Sequence, residues 1–130
     1  MTKFAHSDVL DNGPAYIKTN CDKVVLTDVY SNVYATVIGS AKVAEAAVVT
    51  GDFALSGAAG AARTLTATLT GKSAGNAAKA ADGTTTHIAF VDTATSKVLY
   101  VVPETTTQPI TSGNPVSLNS NPTYVSGQPV

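Results

Sequence analysis

Residues 86–102 read THIAFVDTATSKVLYVV. Two runs, HIAFV at 87–91 and VLYVV at 98–102, are apolar on both faces, and only the short polar stretch DTATSK separates them. A strand with one wet face alternates apolar and polar residues, whereas a strand covered on both sides reads as a continuous apolar run. The spacing therefore predicts a β-hairpin at the centre of the fold. Asp82-Gly83, just upstream, is a turn signal for the strand entering it.

Outward from the hairpin, RTLTATLT sets Leu65, Ala67 and Leu69 against Thr64, Thr66, Thr68 and Thr70. Period-two alternation predicts a half-buried strand with an apolar face and a hydroxyl face, the latter suited to solvent or to a neighbouring subunit. KVVLTDV at 23–29 is a β-branched strand. Strands are also expected at 42–50, 63–71, 84–91, 97–102 and 107–118. About six strands suffice for two packed sheets, so the expected fold is mainly β: a small antiparallel β-sandwich or partly closed barrel. YSNVYATVIGS, at 30–40, mixes helical spacing with β-branched content and is read as a loop or single turn.

At the N-terminus, residues 7–20 read as a short helix capped by Ser7 or Asp8, with Val9, Leu10, Tyr16 and Ile17 gathering on one side. Asn12-Gly13-Pro14 interrupts it. Glycine in a helix interior costs about 1 kcal/mol and proline about 3, so the expectation is two turns meeting at a corner or a kinked helix. From Pro103 onward the chain holds five of its six prolines and little charge. Edge strands near 109–111 and 116–118 are the most that segment predicts, followed by an extended C-terminal arm that would order on another chain. The expected division is 1–22 for the N-terminal segment, 23–119 for the β-domain and 120–130 for the arm.

The 130 residues are 44% hydrophobic but only 13% charged, about half of the ordinary charged share. A weakly charged surface costs little to desolvate against a partner, which points to a protein used in an assembly. The formal net charge of −1 gives no electrostatic footprint for nucleic acid or an anionic membrane, and neither is expected as a partner. Cys21 is the single cysteine, so an intrachain disulfide and a cysteine-rich metal site are excluded. MTKFAHSDV lacks the basic and apolar regions of a signal peptide, and no run approaches the roughly eighteen apolar residues of a membrane span. Synthesis and use without secretion are expected.

His6, Ser7, Asp8 and Asp11 are the residue types of a nucleophilic triad or a metal site. A triad needs its members held from separate parts of the chain, whereas His6 and Ser7 are neighbours whose side chains diverge, and no G-x-S-x-G elbow is present. Capping by Ser7 and Asp8 is the better reading. A zinc site would have to join His6 to His87 and one of Asp8 or Asp11, and Asp11-Asn12-Gly13 lacks the alternating acids and closing glutamate of a calcium loop. His87 reads as a satisfied core or boundary histidine. Glu45, Asp52, Asp92 and Glu104 show no spacing diagnostic of a glycosidase pair, and a chain with no tryptophan offers few platforms for sugars. No catalytic, cofactor-binding or metal-binding residue is expected, no cofactor is called for, and an enzyme is the least favoured class.

The first eighteen residues, MTKFAHSDVLDNGPAYIK, resemble the N-terminal signature of a family of small virion proteins from tailed bacteriophages. Looser similarity continues through the threonine-rich strand, the hydrophobic hairpin and QPITSGN at 108–114. Pro14 departs from that signature, which has an ordinary helix former there. The resemblance implies no catalytic residues. It implies a role in the particle. Together with the weakly charged surface, the missing catalytic constellation and the proline-rich arm, it leads to the expectation of a capsid decoration or cement protein, a homo-oligomer, expected as a trimer, bound to the major capsid protein on the outer surface of the head. The alternatives are a tail, neck or fibre-associated virion protein and a glycan-binding β-sandwich.

Overall fold

The structure is a computed structural model in which residues 4–5, 13–57, 63–104 and 108–126 are described. In chain order these form β1 (Phe4–Ala5), α1 (Pro14–Asn20), β2 (Lys23–Thr27), α2 (Tyr34–Ile38), β3 (Lys42–Ala47), a 3₁₀ turn (Thr50–Asp52), β4 (Phe53–Ser56), β5 (Arg63–Ala67), β6 (Ser73–Asn76), β7 (His87–Asp92), β8 (Lys97–Pro103), β9 (Pro115–Ser117) and β10 (Thr123–Ser126). A five-stranded sheet of order β1-β8-β7-β2-β3 faces a three-stranded sheet of order β10-β5-β4, and β6 pairs with β9 beside them. Every pairing is antiparallel. This is the mainly β, sandwich-like architecture expected from the sequence, and its sheets do not close into a barrel.

The central hairpin is β7–β8, and all six residues of β7 are buried. Val24, Leu26, Ile88, Phe90, Leu99, Tyr100 and Val102 face the opposing sheet, together with Phe53, Leu65 and Ala67. Val25, Ala89, Val91, Val98 and Val101 form a second cluster on the other face, closed by Val37 of α2. The small Ala89 and the valines leave room for that helix. α2 is the single turn of helix expected as one alternative over 30–40, with Val37 supplying its one buried apolar anchor while Ile38 stays exposed.

Within β8 the alternation fails, because the register slips between Phe90↔Tyr100 and Val91↔Val98. Leu99 is the extra residue of a bulge, so Leu99 and Tyr100 enter the same core in succession. At the hairpin tip, Asp92 is buried and accepts bonds from Ala94 N (3.1 Å) and Thr95 Oγ1 (2.8 Å). Asp22 accepts from the Thr93 backbone at 3.0 Å and from its hydroxyl, tying the tip to the start of β2.

α1 begins at Pro14, with Gly13 (φ 69°) as its N-cap. Proline at the first helical position lacks only an N–H that would have no intrahelical partner. Gly13-Pro14 therefore starts this helix, and the part of the expected helix before Gly13, with its caps Ser7 and Asp8, lies outside the described residues. Ile17 is 1% exposed and enters the same core as the sandwich, so α1 plugs the space between the sheets. Cys21 follows it, also buried, with its Sγ 3.4 Å from the Lys23 carbonyl. Burial pushes the thiol up to about 12, leaving almost no thiolate near neutrality. A disulfide-exchange reagent at pH 8 is expected to label the native protein at least about a hundredfold more slowly than the unfolded chain. Equal rates in native buffer and in denaturant would contradict this burial.

Several expected strands are shorter than anticipated. The 63–71 strand ends at Ala67, because Asn121 Oδ1 accepts from Leu69 N (2.9 Å), Thr70 N (3.0 Å) and Thr70 Oγ1 (2.9 Å) in place of a ladder partner. The 42–50 strand stops at Ala47, and the 3₁₀ turn then redirects the chain into β4 of the other sheet. Of 107–118, residues 115–117 form β9 and Ile110 makes an isolated bridge to Ala81. Residues 123–126, expected within an extended arm, instead pair with β5 of their own chain.

Candidate functional site

Of the residues weighed as chemistry in the sequence, those that are described do not converge. His6, Ser7, Asp8 and Asp11 lie outside the described residues. His87 is 4% exposed, with Nδ1 2.8 Å from the Thr85 carbonyl and the Tyr30 ring against its edge at 5.8 Å. Among the described residues Nε2 has no hydrogen-bond partner. Asp92 stands at the hairpin end of β7, while His87 begins that strand and pairs with Pro103, beside Glu104, at the opposite end. Glu45 bridges Lys23 (3.4 Å) and Lys42 (3.8 Å) on the β2–β3 surface. Asp52 meets Lys72 at 3.2 Å. The carboxylates therefore occupy separate regions, and no group of three potential ligands among the described residues could hold a metal ion.

A second surface does come together. In the three-stranded sheet the register aligns Thr123, Thr66 and Ala54 in one row and Val125, Thr64 and Ser56 in the next. Leu65 and Ala67 point into the core, so those six residues form the outer face. None is charged. Of the four threonines read as a hydroxyl ladder, Thr64 and Thr66 lie on this face while Thr68 and Thr70 follow the end of β5, and strands from both sides widen the face into a neutral patch.

At one border of this patch a groove of about 260 Å³ opens between the two sheets. Tyr100, Val102 and Pro103 of β8 line one wall, and Ser120, Asn121, Pro122 and Thr123 the other. Tyr100 crosses the gap: its hydroxyl donates to the Thr123 carbonyl, and its ring meets Tyr124 edge-on at 4.9 Å. Burial, with a smaller contribution from Tyr124, pushes the Tyr100 phenol up to about 12, so it remains a donor across the physiological range. Tyr100→Phe is expected to keep the fold and lower stability by about 1 kcal/mol, read by urea unfolding, because water in the open groove can replace the lost donor. A loss several times larger would mean that the hydroxyl also holds the sheets together.

The sequence signal for this wall was the β-prone run Thr123-Tyr124-Val125 after Pro122, hidden within a stretch whose composition reads as extended arm. Searches of protein-family models, curated proteins and solved structures find no match to this chain.

Proposed function

We infer that this chain is a structural protein of a tailed-phage particle, most specifically a decoration or cement protein on the outer surface of the head. The observation that carries the reading is the N-terminal segment 1–18, whose residues resemble a virion-protein signature. The neutral outer face of the three-stranded sheet supports it. Contact through hydroxyls and small apolar side chains carries little desolvation cost, and repetition over many copies turns weak contacts into a stable lattice. In this reading the major capsid protein is the partner and the chain works as a homo-oligomer.

The deciding experiment is purification of the virion that carries this protein, followed by a stained gel. Hundreds of copies per particle, removed together with a loss of head stability, are expected of a cement protein. About a dozen copies would reassign it to the neck or tail, and absence from the particle would overturn the reading.

A further inference from the structure

Asp82-Gly83 is the one Asp-Gly pair in the chain, and such a pair is chemically fragile. The Gly83 nitrogen can attack the Asp82 side-chain carboxyl carbon, forming a C–N bond while the carboxyl hydroxyl leaves with the amide proton as water. The succinimide ring then takes water back at either carbonyl. Opening at one restores aspartate, and opening at the other leaves isoaspartate, whose main chain runs through the side chain and is one methylene longer. Glycine eases ring closure because no Cβ shields its nitrogen. The reaction needs a protonated carboxyl, so that water can leave, and a backbone free to bring nitrogen and carbon together.

Both requirements are opposed in the folded chain. The Thr84 N–H and the Thr84 hydroxyl each donate to Asp82 Oδ1 at 2.9 Å, closing a turn over Gly83. These bonds, the backbone one foremost, hold the Asp82 carboxyl below the usual carboxylate range. They also tie it to the residue beyond the nitrogen that would attack it. The flanking backbone is fixed as well. Ala81 exchanges bonds of 3.0 and 2.8 Å with Ile110. Gly83 (φ 87°) lies so close to the next segment that a Cβ on it would sit 2.6 Å from the Gln108 carbonyl oxygen. Its own carbonyl accepts from the Thr86 hydroxyl at 3.1 Å, and Thr85 Oγ1 donates to the Asp28 carbonyl at 2.6 Å, just past β2. Ring closure turns the Asp82-Gly83 peptide relative to both flanks, so these contacts must open first.

We propose that Asp82 is a latent isoaspartate site and that the Thr84 turn, with the contacts of residues 81–86, guards it against spontaneous ageing. The bond lasts as long as this segment stays closed, and isomerisation follows its local opening. Thr84 acts here through Asp82, holding the carboxylate out of reach of the Gly83 nitrogen. The inference goes beyond the particle reading and does not depend on it.

The test is ageing of the full chain in warm neutral buffer beside the capped peptide acetyl-Ala-Ala-Asp-Gly-Thr-Thr-Thr-amide, which carries residues 80–86 without the fold. Isoaspartate at residue 82 is measured in digests by electron-transfer fragmentation, which distinguishes it from aspartate. The native chain should form it at least about tenfold more slowly than the peptide, because reaction waits on local opening. In denaturant the rate in the chain should rise to that of the peptide in the same solution. Thr84→Val removes one of the two bonds to Oδ1 at an exposed position. It should speed ageing of the native chain about two- to fivefold, while the same change in the peptide leaves its rate as it was. Equal rates in native chain and peptide would overturn the proposal. So would a Thr84→Val chain that ages like its parent, or a Thr84→Val peptide that accelerates as much as the folded variant.

Discussion

Phe90→Ala is expected to destabilise the fold by about 3–5 kcal/mol, the largest effect of any single truncation in this chain. Phe90 is 2% exposed and lies between Tyr100, at 5.6 Å and nearly parallel, and Phe53, at 6.1 Å. Those rings belong to opposite sheets, so Phe90 is the contact through which the layers grip each other. A void of about 10 Å³ at this spot is bordered by Ile17, Leu65 and Tyr124. Removing a phenyl ring from so full a space leaves a cavity that α1 and two sheets cannot collapse together, and the cost follows the residual volume. Denaturant unfolding of the variant against the parent reads the effect directly. A loss below about 1 kcal/mol would show that the sheets slide together, and that the interior is less rigid than its close contacts imply.

Gly83→Ala should cost about 2 kcal/mol or more, while Gly71→Ala should cost about 1. Both glycines have a positive φ, 87° and 81°, so each substitution carries the left-handed strain of an L-residue. They differ in what surrounds them. A Cβ at Gly83 would lie 2.6 Å from the Gln108 carbonyl oxygen and 2.8 Å from its nitrogen, whereas one at Gly71 would meet nothing within 4 Å. Backbone cannot yield as a flexible side chain does. The clash would push 108–110 outward and break the paired bonds between Ala81 and Ile110, which are 3.0 and 2.8 Å. Comparable melting temperatures for the two variants would refute the close approach of these segments.

Much of this architecture was legible because burial leaves a direct trace in composition. The two apolar runs of the hairpin could only be a doubly covered pair, and Leu65 with Ala67 fixed which face of the threonine strand turns inward. Strand ends were less legible. The end of β5 depends on the Asn121 side chain, 52 positions away, which no local pattern announces. The bulge at Leu99 was equally silent, since VLYVV is apolar throughout and any register satisfies its hydrophobicity. β4 and β6 escaped because FALS and SAGN are too short and too small in side chain to stand out from turns. In the groove, Tyr100 was foreseeable as core, but its opposing wall follows from a proline-rich stretch whose ordering needs β5 as a template.

That template has a kinetic consequence. β5 lies between β4, its hairpin neighbour, and β10, near the end of the chain. The small sheet stays a two-stranded ribbon until residues 123–126 arrive, and an isolated two-stranded hairpin is marginal in water. Closing such long loops before their contacts form is slow, which places folding of this protein in the millisecond-to-second range typical of non-local β topologies. During that interval the inward face of β5 is bare, making the unfinished small sheet the species most exposed to misassembly in a crowded cell.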